Sequence, residues 1–362
     1  MPALSVMIKP ASSACNMRCG YCFYHDVANL RSRAELGIMD TSTARAVIDS
    51  ALDYCGGESI SFAFQGGEPL LAGADFFKEF FAYAKKRCKG VKIYYGIQTN
   101  GTLLTEETAE LFAANGALVG LSLDGGEEDN SCRVHADLSP AFGDVMKAAE
   151  ILRRAGTEFN ILSVVTGRLA DNIERVYSFF KSHGFRYLQF IPCLRPFEGG
   201  EGELYMTNEQ YAHFLTTLFR LYARDFLNGD YVSIRRFDNW VRLYRGEKFE
   251  ECGVGGFCSR QFVVEGNGNV YPCDFYCLDE WLLGNINSSS FAQMAECRLA
   301  KKFITSSLVM PARCARCEYF NLCRGGGCKR ARTSFDYCEA YKKFFAGSQE
   351  LFRRISEKMG RK

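Results

Sequence analysis

Three cysteines near the start of the chain, Cys15, Cys19 and Cys22, have the residue type and spacing of metal ligands. Their C-x3-C-x2-C arrangement supplies three thiolates, whereas a cubane iron–sulfur cluster needs four ligands. One iron of such a cluster would stay open to a small-molecule chelate. The alternatives are a chance grouping of cysteines or half of a zinc site, but zinc sites usually pair their ligands as C-x2-C. The spacing therefore favours a cluster with one open iron.

A second group of cysteines lies in the last third of the chain and could ligate two complete four-iron clusters. Its eight members are Cys252, Cys258, Cys273, Cys314, Cys317, Cys323, Cys328 and Cys338. Zinc ribbons are the rival interpretation, because the Cys314 and Cys317 pair alone has zinc-type spacing. The other cysteines are predicted to be small buried apolar residues rather than ligands: Cys55, Cys88, Cys132, Cys193, Cys277 and Cys297.

The composition limits the classes of partner and the compartment. Lys plus Arg number 44 against 42 for Asp plus Glu, and this net charge of +2 gives no case for nucleic-acid binding. No apolar run is long enough to span a membrane, and the N-terminus lacks the pattern of a secretion signal. Seventeen cysteines without such a signal indicate metal-bound thiolates rather than disulfides, because the cytosol is reducing. We therefore expect a soluble, cytoplasmic protein without a membrane or nucleic-acid partner.

Strand-like and helical stretches alternate through the first two hundred residues. Strands are predicted near 4–9, 60–65, 91–98, 118–124, 158–165 and 187–192, and helices near 41–54, 74–88, 105–115, 140–155, 171–183 and 207–227. Thr41 and Thr105 are the predicted N-caps, with Thr105-x-x-Thr108 falling short of a capping box. Six strand–helix units predict a parallel sheet with right-handed crossovers, either doubly wound or an incomplete barrel.

The alternation of residues along the strands separates these two architectures. In 118–124 the odd positions are bulky and apolar, while the even positions are mostly small or polar. Gly96 and Gln98 likewise fall on the face opposite Tyr95 and Ile97. Strands of a doubly wound sheet are apolar on both faces, so a narrow polar face favours a curved, open barrel. We predict a partial (β/α)6 TIM-type barrel.

Polar residues collect at the carboxyl ends of these strands, where barrel active sites form. The cysteine loop follows the first strand, and Gln65-Gly66-Gly67-Glu68-Pro69 follows the second. Gln98, Asn100 and Ser122 end the next two strands. Glycines permit close approach to a ligand, and a carboxylate can hold a cationic amine. The alternatives are an ordinary turn at 66–69 and satisfied strand-end hydrogen bonds for Gln98 and Asn100.

The composition changes near 229–252, where Cys, Gly and aromatic residues become frequent. We predict a barrel domain over 1–228, a cysteine-rich domain over 229–345 and a C-terminal helix or tail over 346–362. Within the second domain, Gly266-Asn267-Gly268 is the predicted turn of a hairpin. Asp274 stands directly after Cys273 and is either a base or a turn aspartate.

The C-x3-C-x2-C loop, closed by an aromatic residue and followed by a GGEP motif, resembles the radical SAM superfamily. The resemblance implies that S-adenosylmethionine binds the open iron and that Glu68 holds its amino group. The implied cofactor contacts are Tyr21, Gln65, Gly66, Gly67, Glu68, Gln98, Ser122, Arg133 and Leu194.

The later cysteines resemble the auxiliary-cluster (twitch-type) domain of the SPASM branch. The resemblance implies three [4Fe-4S] clusters in all: one at Cys15, Cys19 and Cys22, a first auxiliary cluster at Cys252, Cys258, Cys273 and Cys328, and a second at Cys314, Cys317, Cys323 and Cys338. Four residues rather than the usual three precede Cys328. We expect the glycines of Arg324-Gly325-Gly326-Gly327 to absorb the extra residue.

Four stretches together resemble the anaerobic sulfatase-maturating enzymes over essentially the whole chain: 9–13, 22–25, 62–69 and 271–276. The resemblance implies a dehydrogenase that oxidises a cysteine or serine side chain of a sulfatase to Cα-formylglycine through a 5′-deoxyadenosyl radical. Asp274 would be the proton acceptor, and Tyr24 would lie near the substrate. The implied partners are a peptide or unfolded sulfatase and an external one-electron donor such as flavodoxin or ferredoxin.

Two other functions stay open at this point. One is a SPASM-type maturase that forms thioether or carbon–carbon crosslinks, or epimerises residues, in a ribosomal peptide. No separate peptide-recognition domain precedes residue 4, which favours the sulfatase interpretation. The other is a non-catalytic iron–sulfur electron-transfer or zinc protein, against which the incomplete three-cysteine site argues.

Overall fold

The computed structural model describes residues 4–360, which fall into two compact units that interleave along the chain. The first unit comprises Met1–Ser122, Arg133–Phe159 and Arg260–Thr305. The second comprises Leu123–Cys132, Asn160–Ser259 and Ser306–Lys362. The domain divisions expected at 228 and 345 stay predictions.

Seven strands form the sheet of the first unit. In chain order they are β1 (Leu4–Lys9), β2 (Ile60–Phe64), β3 (Ile93–Thr99), β4 (Leu118–Ser122), β8 (Phe262–Glu265), β9 (Asn269–Tyr271) and β10 (Gly284–Asn285). Their order across the sheet is β10-β9-β8-β1-β2-β3-β4. The strands from β8 to β4 run parallel, whereas β9 and β10 are antiparallel to their neighbours. The hairpin formed by β8 and β9 is thus joined to the barrel strands, because β8 pairs with β1.

The first unit also contains helices, of which α3 packs on the apolar face of the sheet. They are α1 (Phe23–Asn29), α2 (Thr41–Tyr54), α3 (Ala74–Arg87), α4 (Glu106–Ala114), α5 (Phe142–Ala155), α10 (Phe291–Glu296) and α11 (Arg298–Ser307). Phe64 of β2 packs edge-on against Phe77 and Phe80 of α3, with ring centroids 5.2 and 4.9 Å apart. Such aromatic pairs add to the free energy gained by burying their area. On the other face, the Gln98 Nε2 donates a 2.9 Å hydrogen bond to Ser122 Oγ, so the predicted polar face is confirmed.

The second unit has three strands and a helical layer. The strands β5 (Phe159–Val165), β6 (Tyr187–Pro192) and β7 (Ser233–Ile234) pair in parallel in that order. The helices are α6 (Gly167–Asp171), α7 (Ile173–Ser182), α8 (Asn208–Asn228), α9 (Arg235–Tyr244), α12 (Phe320–Cys323), α13 (Lys329–Ser334) and α14 (Cys338–Lys358). Phe219 of α8 lies against Phe344 and Phe352 of α14, at 5.4 and 4.4 Å.

The six predicted strands and six predicted helices all form, with ends within two residues of the expected positions. The hairpin is also confirmed, because β8 and β9 flank Gly266–Gly268 and pair antiparallel. The N-cap assignment at Thr41 is wrong: Asp40 caps α2, because its side chain accepts from Thr43 N–H. Thr105 caps α4 as predicted, and Thr108 completes a capping box after all, because its hydroxyl oxygen accepts from Thr105 N–H. No helix among residues 4–360 is long and apolar enough to cross a membrane.

Candidate active site

The three-cysteine loop joins the end of β1 to the start of α1 in the first unit. Met17 N–H points at Cys15 Sγ, 3.4 Å away. The His25 N–H donates to the Cys22 carbonyl at 3.2 Å, and the N–H groups of Tyr24 and His25 also lower the pKa of the Cys22 thiol. Burial raises the pKa of Cys15 to about 12 and also raises the pKa of Cys22. A metal ion removes such thiol protons on binding. Three thiols on one loop with N–H groups aimed at sulfur fit an iron–sulfur cluster.

The predicted GGEP loop lies directly against the cysteine loop. Glu68 N–H donates a 2.8 Å hydrogen bond to the Ala14 carbonyl, one residue before Cys15. Gly67 has a φ of +46°, and a Cβ there would lie 2.1 Å from that same carbonyl oxygen. Any side chain at 67 would therefore separate the two loops. Gly67 is therefore required for the packing of the two loops, in addition to its predicted role of allowing a ligand to come close to the backbone.

Glu68 is completely buried at the centre of these loops. Its carboxylate accepts hydrogen bonds from Leu70 N–H, the Thr99 hydroxyl and Asn100 N–H, at 3.0, 2.8 and 2.8 Å. Burial raises the pKa of Glu68 to about 7, although these hydrogen bonds oppose the shift. A buried carboxylate with this pKa is a suitable partner for an ammonium group at neutral pH.

Other predicted cofactor contacts in the first unit form two further groups. Gln98 and Ser122 share the hydrogen bond described above, and the Gln98 amide covers Gly120, where a Cβ would meet its Oε1 at 2.1 Å. Arg133 is buried, with its guanidinium 5.5 Å from the centre of the Tyr21 ring. Its charge also acts on Cys22, whose pKa it lowers against the effect of burial. Arg133 and Tyr21 therefore lie beside the cysteine loop.

Asp274 follows β9 and belongs to the first unit. Its Oδ2 accepts hydrogen bonds from the Tyr24 hydroxyl at 2.7 Å and from Gln65 Nε2 at 3.3 Å. Its Oδ1 forms an ion pair with Lys9 Nζ at 3.0 Å. Tyr24 comes two residues after Cys22, so the structure brings the predicted base to the cysteine loop. Gln65, predicted as a cofactor contact, also reaches Asp274.

Four of the later cysteines surround one cavity of about 180 Å³ in the second unit: Cys314, Cys317, Cys323 and Cys338. Burial raises the pKa of Cys323 to about 12, and the other three thiols contribute to that shift. Gly326 N–H is directed at Cys323 Sγ, 3.3 Å away. Four thiols around one cavity with an N–H donor fit a fully ligated cluster. Leu194, predicted to line the cofactor pocket, lies on the wall of this cavity.

Three further cysteines of the second unit, Cys252, Cys258 and Cys328, lie on adjoining loops. Cys258 and Cys328 are close enough to interact electrostatically. Gly327 meets the residue after Cys252, since a Cβ at 327 would lie 1.9 Å from the Gly253 carbonyl oxygen. The Arg332 guanidinium binds the carbonyls of Gly256, Ser307 and Gly327 and so ties these loops together. Cys273, the fourth ligand predicted for this cluster, belongs to the first unit.

Sequence reasoning missed the buried charges around Asp274. Lys9, Arg31 and Glu265 are all at most 8% exposed, and they form ion pairs with one another or with Asp274. The only available signal was a charged residue at the end of each of two apolar strands. Nothing in the sequence shows that these strands are neighbours. Among residues 4–360, no group of three or more His, Cys, Asp or Glu side chains is arranged to hold a single metal ion.

Two family models match the chain and define its class. Residues 10–180 match the radical SAM superfamily, and residues 252–318 match the SPASM iron–sulfur cluster-binding domain. The fold is therefore the predicted radical SAM partial barrel with a SPASM domain. The protein is a radical SAM enzyme, and the iron–sulfur assignment replaces the zinc interpretation of the later cysteines.

Curated relatives narrow this class to one family. The chain is 43% identical to a cysteine-type anaerobic sulfatase-maturating enzyme of Clostridium perfringens, over 95% of this chain and 96% of the relative. It is 41% identical to one from Clostridium novyi, over 95% of both chains. A serine-type enzyme of Bacteroides thetaiotaomicron is 32% identical, over 89% of this chain and 82% of the relative. The chain belongs to the anaerobic sulfatase-maturating enzymes.

Solved structures agree with this membership. The structure of native anSMEcpe with bound AdoMet matches with a TM-score of 0.93 at 41% identity, covering 98% of this chain and 99% of that one. The same enzyme with AdoMet and the Cp18Cys peptide matches with a TM-score of 0.92 at 40% identity, over 98% and 99%. S-adenosylmethionine and [4Fe-4S] clusters are accordingly the cofactors of this radical SAM oxidoreductase.

Proposed function

We propose that this enzyme oxidises the side chain of a cysteine in a sulfatase peptide to Cα-formylglycine. The observation that carries the proposal is the position of Asp274, one residue after Cys273 and hydrogen-bonded to Tyr24 beside Cys22. One carboxylate is thereby linked to both sets of predicted cluster ligands. The greater identity to cysteine-type than to serine-type relatives supports cysteine as the substrate residue.

The residues that would hold the cofactors follow from the two donor sets. Cys15, Cys19 and Cys22 would bind the radical SAM cluster. The residues that would contact S-adenosylmethionine are Tyr21, Gln65, Gly66, Gly67, Glu68, Gln98, Ser122, Arg133 and Leu194. Cys252, Cys258, Cys273 and Cys328 would bind one auxiliary cluster, and Cys314, Cys317, Cys323 and Cys338 the other. When bound, these groups supply a 5′-deoxyadenosyl radical that takes one hydrogen atom from the substrate Cβ, and an acceptor for one electron.

The protein's own part in the oxidation is to hold the substrate and to remove one proton. Asp274 accepts the thiol proton of the substrate cysteine as a general base. The substrate thus loses a hydrogen atom, a proton and an electron, which together make two electrons and two protons. The resulting thioaldehyde exchanges sulfur for oxygen with water, releasing hydrogen sulfide and leaving the aldehyde. Tyr24 and Gln65, both bonded to Asp274 Oδ2, orient the carboxylate for this transfer.

An external one-electron donor completes the proposal. A flavodoxin or ferredoxin in a reducing, cytoplasmic compartment would supply the electron that radical formation consumes.

Replacement of the base tests the proposal. In Asp274→Asn, we expect 5′-deoxyadenosine formation to continue while peptide oxidation falls by about 10²-fold or more, the usual contribution of a general base. Mass spectrometry of a cysteine-containing sulfatase peptide after anaerobic incubation measures the oxidation. The matched control is Asp75→Asn, an exposed carboxylate on α3 that should leave both rates unchanged. A thioether or an epimer of unchanged mass from the wild-type enzyme would contradict the proposed reaction.

A further inference from the structure

Four buried charged side chains lie together in the first unit, and of these only Asp274, the predicted base, is a predicted site residue. They are Lys9, Arg31, Glu265 and Asp274, two cations and two anions. An isolated buried charge is very costly, so such groups persist only when they are paired and hydrogen-bonded. The equal number of opposite charges satisfies that condition, but it does not explain why the charges are there.

The sheet itself creates the first of these pairs. Lys9 ends β1 and Glu265 ends β8, and the two residues are direct partners in the parallel register. Lys9 Nζ lies 3.3 Å from Glu265 Oε1. Arg31 Nη1 donates to the same oxygen at 2.8 Å, and the Ser12 hydroxyl donates to Oε2 at 2.6 Å. Glu265 is thus fixed by three donors, and it in turn holds the Lys9 ammonium.

The Lys9 ammonium also reaches the predicted base. Nζ lies 3.0 Å from Asp274 Oδ1, while Tyr24 and Gln65 occupy Oδ2. The ammonium lies 4.7 Å from the centre of the Tyr24 ring, so the same cation contacts both partners of that hydrogen bond. Hydrogen bonds therefore fix Oδ2, whereas Oδ1 is buried, accepts no hydrogen bond and is balanced by the Lys9 ion pair.

Gly66 makes the path of the Lys9 side chain possible. Its φ is +85°, and a Cβ at this position would lie 2.5 Å from Lys9 Cγ. The lysine stem runs directly beneath the glycine. This gives Gly66 a role in the placement of Lys9, beside its predicted contact with the cofactor.

The ammonium keeps its charge in this environment. Burial alone would lower the pKa of Lys9, but the carboxylates of Asp274 and Glu265 outweigh it and hold that pKa well above its ordinary value. Lys9 also donates to Cys277 Sγ at 3.4 Å, where burial raises the thiol pKa and keeps the sulfur neutral. Lys9 is thus charged at neutral pH.

We propose that Lys9, anchored by Glu265 and Arg31, is a positioning residue that fixes the Asp274 carboxylate for proton transfer from the substrate. The inference rests on the proposed function, in which Asp274 is the base. Without the ammonium, Oδ1 loses its ion pair and the carboxylate turns away from its orientation toward the substrate. A displacement of about 1 Å can cost about 10²-fold in rate.

The test uses Lys9→Met, which keeps the length of the side chain and removes the charge. The substrate is a peptide deuterated at Cβ of its cysteine. For Lys9→Met we expect the iron content, the formation of 5′-deoxyadenosine and the transfer of deuterium into 5′-deoxyadenosine to stay near wild type. Formylglycine formation should fall by about 10–100-fold. Lys9→Arg keeps the charge and should recover part of this loss. Lys78→Met, the same change at an exposed lysine of α3, is the matched control and should alter nothing.

A double variant separates positioning from a general structural role. If Lys9 acts through Asp274, Lys9→Met should cause no further loss in an Asp274→Asn background. Three results would each overturn the positioning role. The first is that Lys9→Met makes as much formylglycine per 5′-deoxyadenosine as the wild type. The second is that iron content and 5′-deoxyadenosine fall as much as formylglycine does, and the third is an additional loss in the double variant. Failure of the wild-type enzyme to produce formylglycine would instead overturn the proposed function.

Discussion

Glu68 illustrates how one buried carboxylate joins the loops of the active site. It accepts from Thr99 and Asn100 at the end of β3, while its own N–H bonds to Ala14 in the cysteine loop. The motif around it was visible in the sequence. Of the three donors to its side chain, however, only Leu70 N–H is nearby in the chain, and Thr99 and Asn100 come from another strand end. The raised pKa is a direct result of that burial.

This raised pKa predicts a pH dependence of cofactor binding. A carboxyl with a pKa of about 7 is mostly neutral at pH 6 and mostly ionised at pH 8. Because only the ionised form attracts the ammonium of S-adenosylmethionine, affinity should rise by about tenfold across this range. Equilibrium binding to the reconstituted enzyme measures the change. Glu68→Gln should bind more weakly and show no such rise, and a pH-independent wild type would contradict the prediction.

The loop between α12 and α13 is the clearest case at the scale of an element. It contains the extra residue before Cys328, and all four of its residues have positive φ: Arg324 at +48°, Gly325 at +71°, Gly326 at +85° and Gly327 at +76°. Left-handed backbone is nearly free for glycine and costs other residues about 1–2 kcal/mol. The three glycines therefore allow a tight loop, in agreement with the expectation that they absorb the insertion.

The element-scale prediction concerns Gly327→Ala. A methyl group there would lie 1.9 Å from the Gly253 carbonyl oxygen, which is backbone and has little freedom to move away. We expect the loop to shift Cys328 and the enzyme to lose one cluster, about four of about twelve irons per chain. Iron analysis and cluster spectroscopy after anaerobic reconstitution measure this loss.

The control for this variant is Gly116→Ala. Gly116 also has a positive φ, +61°, but a Cβ there meets no atom within 4 Å. Gly116→Ala therefore measures the cost of a positive φ for alanine without a steric clash, and this variant should keep its full iron content. If Gly327→Ala also retains full iron, Cys328 is not a ligand that depends on this loop.

At the scale of the whole molecule, each unit has its own core, and that of the second unit is strongly aromatic. Phe344 of α14 is fully buried, with its ring centre 5.1 Å from Trp240 of α9 and 5.4 Å from Phe219 of α8. The long C-terminal helix is thus part of the core of this unit. The expectation of a separate C-terminal helix or tail over 346–362 described its secondary structure but not its packing.

Phe344→Ala should therefore destabilise the second unit. Removing a buried phenylalanine costs about 3–5 kcal/mol, because it loses transfer free energy and leaves a cavity. The midpoint of denaturant unfolding should fall accordingly, followed by the fluorescence of Trp240 in a Trp281→Phe background. Met359→Ala, at the exposed end of the same helix, should shift the midpoint very little. An unchanged midpoint for Phe344→Ala would contradict the packing described here.

The sequence predicted the elements well, because their signals are local. Period-two alternation marked β2 to β4 within single strands, and short spacings such as C-x3-C-x2-C marked the candidate ligands, although the later group extends from Cys252 to Cys338. The N-cap at Asp40 was missed by one position, a usual error at helix ends. The charges of Lys9, Arg31 and Glu265 had no local signal, because their partners lie more than two hundred residues away along the chain.

By itself, then, the sequence determined the type of cofactor site and the order of strands and helices, and it offered Asp274 as the candidate base. Those features depend on residue type and short-range spacing, which can be read directly from the sequence. Only the tertiary structure decided that β8 pairs with β1, and hence that Glu265 meets Lys9 in register and Lys9 meets Asp274. Strand pairing between distant segments depends on the packing of the whole sheet, so no local pattern encodes it.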